Sequence, residues 1–284
     1  MWNNPLVSII VPTKNSSRTL WNCLRSIKHQ TYTNIEIIVV DNFSDDNTDH
    51  IAKQYADIVL EQWPERSTQR NKGVSISKWK YVLILDSDMT LDVDVVYECV
   101  KIISLHDDIK AIVIPEESFG KGLWAQCKKL ERSFYVGVDW MEAARFFDKK
   151  IYQEMGGYDD SMVGAEDYDL PQRVEQHYGK WSISRIDKYI YHDEGRLSLW
   201  KSCQKKFYYA QTIRTYTSKK ANHHNFLQQS NIFARYWLFF KQPHKLLQNP
   251  LISFCMLFMK SLEIICSICG YLLGKYIKII NIYN

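Results

Sequence analysis

Two pairs of carboxylates in this sequence are spaced for chemistry. Asp86-Ser87-Asp88 sets two acids two residues apart, directly after the apolar run Tyr81–Leu85. Hard oxygen ligands in that arrangement suit Mg²⁺ or Mn²⁺ bound together with a diphosphate. A metal held there acts on a leaving diphosphate as Lewis acid and template. A solvated Asp-rich turn has the same composition, so the pair needs support from elsewhere. Glu166-Asp167 is the second pair, with Pro171 suited to the first turn of a helix and Leu170 and Val174 on one face. The positive end of a helix favours ionised carboxylates. An ionised Asp near an acceptor hydroxyl can serve as general base, although ordinary N-capping uses the same residues.

Other reactive residue types are less organised. His192, in Tyr191-His192-Asp193-Glu194-Gly195, follows an expected strand and is either a metal ligand or a hydrogen-bonded structural histidine. His223-His224 reads as a surface pair. The seven cysteines are scattered, and Cys266-x-x-Cys269 lies in an apolar helical run with no second pair nearby, so these read as small packing residues in a reducing setting. No GxGxxG follows the first strand and no GxxxxGK[ST] occurs, which argues against dinucleotide and P-loop sites.

The elements that must position these groups alternate. Leu6–Val11, Ile35–Val40, Ile58–Leu60 and Tyr81–Leu85 are short apolar runs separated by helical patterns over Ser16–Gln30, Thr48–Tyr55 and Ser67–Ser77. Such alternation predicts parallel pairing with right-handed crossovers. Each polar cluster falls at the carboxyl end of a strand, where open α/β sheets bind ligands. Beyond residue 111 the alternation loosens. Ala111–Pro115 is expected as a strand, Gly122–Arg132 as a helix, and Trp200–Tyr216 as a basic aromatic helix.

At 284 residues and 46% apolar composition the chain is neither disordered nor fibrous, and it can hold one large α/β domain with an appendage. The formal charge of +4 hides an asymmetry. Residues 1–179 carry a net −8 and residues 180–284 a net +12. The start of the chain lacks a cationic leader followed by an apolar stretch, so no signal peptide is expected.

Taken in order, the motifs make a pattern: Pro12-Thr13-Lys14-Asn15 after a strand, Asp41-Asn42-Phe43-Ser44 with Asp46 and Thr48 after the next, then Gln69-Arg70-Asn71-Lys72-Gly73, Asp86-Ser87-Asp88, Gly156-Gly157-Tyr158-Asp159 and Glu166-Asp167-Tyr168-Asp169-Leu170. This order resembles the family 2 glycosyltransferases of GT-A fold, over residues 5–215. The resemblance implies a Rossmann-like, mostly parallel central sheet with helices on both faces, followed by a C-terminal helical, membrane-associated tail. It divides the chain into a nucleotide-sugar-binding half (1–110), an acceptor-binding and catalytic half (111–215) and the tail (216–284).

By the same resemblance Pro12, Thr13 and Asn15 line the nucleotide pocket, and Asp41 and Asn42 form the turn that reads the base. The family usually has Asp-Asp-Gly-Ser there. The Asn42 amide can still donate to and accept from a uracil-like edge, but the departure leaves the base open. Arg70, or Arg66 one helical turn earlier, is expected to meet phosphate or base, a solvated helix face being the alternative. Asp86 would bind ribose or donor sugar, Asp88 the Mn²⁺ or Mg²⁺, and His192 would join the metal site. Asp167 would deprotonate the acceptor while Glu166 fixes its geometry or holds the acceptor. The implied reaction is one in-line displacement with inversion, from a UDP-sugar to a hydroxyl of a lipid-linked or surface glycan. The Glu-Asp pair argues against a polyprenyl-phosphate glycosyltransferase, whose acceptor is already ionised. Together with Asp86 and Asp88 it argues against the other alternative, an inactive sugar-nucleotide-binding scaffold.

Residues 200–280 combine Lys201, Lys205, Lys206, Arg214, Lys219 and Lys220 with Phe207, Tyr208, Tyr209 and Tyr216. Nucleic acid would use such residues, but the acidic N-terminal body makes that partner awkward, and a membrane surface on the cytoplasmic side fits better. Leu251–Met259 and Ile264–Gly274 are each shorter than the roughly 20 residues that span a bilayer. A continuous span would bury Lys260 and Glu263 in lipid. One or two amphipathic helices in the interface are the expectation; a span, a re-entrant hairpin or a dimer interface are the alternatives.

Overall fold

The structure is a computed structural model that describes residues 4–63, 66–78, 80–162, 166–218 and 231–280. Lys219, Lys220, His223 and His224, singled out above, lie outside the described residues. The chain forms two compact units, neither continuous in sequence. The first comprises Met1–Glu116, Glu142–Asp160 and Glu166–Asp193; the second comprises Glu117–Met141, Ser161–Ala165 and Glu194–Asn284.

The first unit is built on a sheet of seven strands: β1 (Val7–Thr13), β2 (Ile35–Asp41), β3 (Ile58–Glu61), β4 (Tyr81–Ile84), β6 (Ala111–Val113), β8 (Ala144–Asp148) and β9 (Ile183–Arg185). Their order is β3-β2-β1-β4-β8-β6-β9. The pairs β1–β2, β2–β3, β1–β4 and β6–β9 are parallel, while β8 runs antiparallel to both β4 and β6. Alternate side chains sort to the two faces as strand geometry demands. Val7, Ile9 and Val11 pack with Leu20, Leu24 and Ile27 of α1 (Leu20–Lys28) and with Val96, Cys99 and Val100 of α4 (Val95–Leu105). Ile10, Ile38 and Val40 face Val74 of α3 (Arg66–Ile76) and Leu170 and Val174 of α7 (Glu166–Tyr178). The doubly covered α/β sheet expected from the sequence is therefore present. α2 (Thr48–Tyr55) follows β2, and α6 (Lys149–Glu154) follows β8.

Several local readings change. β1 and β2 run on through Pro12-Thr13 and Asp41, because Thr13 pairs in register with Asp41. β6 ends at Val113, where its pairing with β8 shifts register. α4 lies before residue 111 and β8 in the loosened stretch beyond it, and neither is among the elements expected from the sequence. In α4 the β-branched Val95, Val96, Val100, Ile102 and Ile103 mask helical spacing, and in β8 the cation Arg145 interrupts a strand otherwise made by Ala144, Phe146 and Phe147. Pro171 is inside α7 and not in its first turn. Having no N–H, it cannot bond the Asp167 carbonyl one turn back. His192 lies within β10 (Ile190–Arg196), paired antiparallel with β5 (Met89–Leu91), and does not follow the strand.

Within the second unit are β7 (Glu116–Lys121, from its second residue), α5 (Leu123–Ser133), α8 (Leu199–Ser218), α9 (Ile232–Phe240), α10 (Pro243–Gln248) and α11 (Pro250–Ile280). The two apolar tail segments are one continuous helix, α11. Its Pro250–Leu273 stretch is long and apolar enough to cross a membrane by length and composition. Yet Lys260 and Glu263 are buried within the protein: Lys260 Nζ lies 2.5 Å from Glu131 and 3.3 Å from Glu263. Lys128 Nζ lies 2.7 Å from Glu131 and 3.4 Å from Glu263, and Ser202 Oγ donates to Glu263 at 2.5 Å. Two cations and two carboxylates thus neutralise one another between α5, α8 and α11. At Gly270 any Cβ would stand 2.2 Å from the Phe207 carbonyl oxygen, so glycine permits α11 to approach α8 closely.

Candidate active site

The ends of β1, β2 and β4, with the start of α7, bring the sequence motifs together in the first unit. Thr13 Oγ1 donates to Asp41 Oδ1 at 2.7 Å, and Asp41 also accepts from the Ser44 backbone N–H at 2.7 Å and the Ser44 hydroxyl at 2.6 Å. Asp41 is therefore a buried brace for the turn that carries Asn42, whose backbone N–H donates to the Thr13 carbonyl at 2.9 Å. Asn15 adopts φ 48°, the left-handed region that Asn tolerates, and its side chain accepts from the Asp45 N–H at 3.0 Å. Pro12 and Thr13 are buried, whereas Lys14 and Asn15 of the first motif are exposed.

α3 is tied to these strand ends by Gln69, whose amide donates to the Thr13 and Val40 carbonyls at 2.9 and 2.7 Å. Gly73 allows the close approach, since a Cβ there would lie 2.3 Å from Ile10. Asn71 then links α3 to the Gly156-Gly157-Tyr158 turn. Its amide donates to the Tyr158 carbonyl at 2.7 Å and its oxygen accepts from the Tyr158 N–H at 2.9 Å and the Tyr152 hydroxyl at 2.7 Å.

Arg70 is the centre of the site and is 0% exposed. Nη2 donates to Asp86 Oδ1 at 2.6 Å and Nη1 to Asp167 Oδ1 at 2.7 Å, with Glu166 Oε1 at 3.5 Å. Its guanidinium carbon sits 5.0 Å over the Tyr158 ring. Arg66, half-exposed, reaches Glu166 at 3.1 Å. In this geometry both arginines are engaged with carboxylates, and Arg70 offers no exposed surface.

A residue without any motif completes the cluster. Arg145 on β8 is buried, with Nε 2.7 Å from Glu116, Nη1 3.5 Å from Asp86 and Nη2 3.9 Å from Asp167. The only signal in the sequence was a cation embedded in Ala144-Arg145-Phe146-Phe147. Burial alone would raise the Asp86 carboxyl, but Arg70, Arg145 and Arg66 together hold it well below the usual carboxylate range. Glu166 moves the other way: burial, then the neighbouring Asp167 charge, pushes its carboxyl up. Asp167 is the more open of the two, 26% exposed against 2% for Glu166.

Asp88 is 43% exposed, and the Asp88 carboxylate and His192 Nε2 are 3.1 Å apart. The β5–β10 pairing opposes His192 to Met89, the residue after Asp88. No cluster of three or more His, Cys, Asp and Glu side chains suited to a metal occurs among the described residues. Two neighbouring donors fit a cation that completes its shell with diphosphate oxygens and water, which is how Mg²⁺ is usually held beside phosphates. Carboxylate oxygen with one imidazole is also compatible with Mn²⁺.

Residues 8–157 match the model of the family described as glycosyl transferase family 2. The chain is 27% identical over 203 residues to the uncharacterized protein y4gI of Sinorhizobium fredii, covering 66% of this chain but 22% of that protein. It is 24% identical over 260 residues to the putative glycosyltransferase EpsH of Bacillus subtilis, covering 82% and 72%. Among solved structures it resembles the mannosyltransferase PcManGT of Pyrobaculum calidifontis, in complex with GDP-Man and Mn²⁺. The TM-score is 0.59 at 17% identity, covering 96% of this chain and 86% of that one. At that identity the likeness establishes the GT-A fold.

Proposed function

Since the chain belongs to glycosyl transferase family 2, we propose that it moves a sugar from a nucleotide-diphosphate donor to an acceptor hydroxyl, with inversion and with a divalent metal. The observation that carries this reading is the meeting of Asp86 and Asp167 on one buried guanidinium, that of Arg70. A donor-side carboxylate and a candidate base, far apart in sequence, thereby border the same site.

In this reading Asp167 takes the proton of the acceptor hydroxyl as its oxygen attacks the anomeric carbon and the bond to the diphosphate breaks. Its exposure leaves it open to an acceptor, and Arg70 keeps it oriented. Glu166, buried beside it, acts through position. Asp86 faces the ribose or donor sugar. Thr13, Asp41 and Asn42 shape the base pocket, with Asp41 bracing the turn and the Asn42 amide facing the base edge. Asp88 and His192 would hold the cation, which when bound neutralises charge on the departing diphosphate. The Asn42 amide suits a uracil edge, so a UDP-sugar is the donor to test first; the structurally similar mannosyltransferase PcManGT is in complex with GDP-Man. The proposed acceptor is a lipid-linked or surface glycan, met at the cytoplasmic face of a membrane.

Thermal-shift screening of nucleotide sugars with and without Mn²⁺ tests the donor, because binding raises stability by mass action. Asp88→Ala and Asp167→Asn proteins are expected to fold and to lose transfer. Full transfer by either overturns the assigned roles.

A further inference from the structure

α11 has two opposed faces. Met256, Met259, Lys260 and Glu263 are buried within the second unit. Leu251, Phe254, Phe258, Ile265, Ile268 and Leu272 recur at spacings of three, four and seven along the other face, and all six are exposed. α9 adds Phe233 (88% exposed) and Trp237 (66%). This amount of apolar side chain in water marks an interaction surface.

The charge around it selects the partner. Between residues 231 and 280 the sequence has six Lys or Arg and a single acid, Glu263. That acid is buried against Lys128, Ser202 and Lys260, itself buried and one of the six, so five cations and no acid of this stretch remain outside the cluster. An apolar face with aromatic side chains and surplus cations fits lipid headgroups that carry negative charge.

The buried ion cluster also selects the mode. A spanning α11 would have to break Lys260 from Glu131 and carry unpaired charge into hydrocarbon, or draw in α5 with its Lys128, Lys129, Glu131 and Arg132. Both are costly, whereas an in-plane helix keeps the cluster intact.

We infer that the exposed face of α11, with the aromatic side chains of α9, is a docking surface for an anionic bilayer, and that α11 lies in the plane of that bilayer without crossing it. The inference rests on the membrane part of the reading above and not on its catalytic part.

The test uses the purified full chain with vesicles of phosphatidylcholine alone or mixed with phosphatidylglycerol. The protein is expected to co-sediment with the mixed vesicles and to be partly released by salt. Substituting Phe254, Phe258 and Ile265 together by serine should lower the bound fraction about tenfold or more while the donor-dependent thermal shift persists. Because that variant removes exposed side chains only, a donor shift reports that it is folded; should it misfold, quenching supplies the readout. Brominated lipids should quench the wild-type emission by an increment that Trp237→Phe removes. No vesicle binding, or apolar-face-dependent dimers in place of binding, overturns the docking surface. A tag fused after Asn284 that becomes protected from external protease overturns the in-plane mode. In each of these cases an intact donor shift leaves the catalytic reading standing.

Discussion

Arg70 and Asp167, 97 residues apart in sequence, are joined by a 2.7 Å hydrogen bond, and the second terminal nitrogen of the same guanidinium reaches Asp86 at 2.6 Å. The planar fork of arginine makes this possible, since it can address two carboxylates in fixed directions at once. Both carboxylates are oriented, and Asp86 is held ionised, by a cation that is itself sealed from water.

Arg70→Lys retains the charge but not the fork. The expected result is a folded protein whose transfer rate falls on the order of 10–100-fold. Arg70→Met removes the cation that Asp86 and Asp167 share, leaving them only the longer contacts to Arg145, and should cost about 3–5 kcal/mol, read by urea unfolding. Wild-type transfer by the lysine variant would remove Arg70 from the positioning role.

Neighbouring glycines give an internal comparison. Gly156 and Gly157 both have left-handed backbone, with φ of 80° and 67°. A Cβ on Gly156 would meet nothing within 4 Å, whereas one on Gly157 would lie 2.5 Å from Asn71 Oδ1. Gly156→Ala should therefore cost only backbone strain, about 1–2 kcal/mol. Gly157→Ala should cost more, because it also disturbs the Asn71 bonds that hold Tyr158 under Arg70. Equal melting temperatures for the two variants would contradict this.

The ion cluster of the second unit makes a pH prediction. Burial and the Glu131 charge would raise Glu263, but Lys128, Lys260 and Lys206 outweigh them and bring its carboxyl down to about 2. A carboxyl depressed in the folded state stabilises above its unfolded value near 4.5 and loses that contribution as pH falls through about 2. At neutral pH Glu263→Gln should be less stable than wild type by on the order of 3 kcal/mol. The gap should close as the pH is lowered from 5 toward 2. A gap that widens on acidification would refute the pairing.

Removing the metal supplies a further test. Chelation should abolish transfer, and added Mn²⁺ or Mg²⁺ should restore it. His192→Ala deletes one proposed donor and should raise the metal concentration for half-maximal transfer about 10–100-fold. Transfer that is indifferent to chelator would reject the proposed metal dependence.

The N-terminal strands, α1 to α3 and the motifs at the strand ends were legible in the sequence because their information is local. An apolar run such as Ile35–Val40 reports its own burial, and a polar cluster directly after it reports a strand end at a ligand-binding edge. α4 and β8 were hidden because their patterns conflict with their structures. β-branched side chains fill the helix α4, and a buried cation interrupts the strand β8.

The alternation of strand and helix, the carboxylate pairs and the acidic-to-basic split follow from residue order alone. What neutralises those charges is set by the folded chain. Lys260 and Glu263 read locally as two charges interrupting an apolar helix; with Glu131 and Lys128 beside them they are a buried, self-compensating cluster. Arg70 read as a cation on a helix face and is fully enclosed, shared between Asp86 and Asp167. Arg145 joins them from a strand that no motif marks. Such pairings depend on distances between residues many tens of positions apart, which the pattern along one segment does not contain. A buried charge is stable only where the fold delivers its partner.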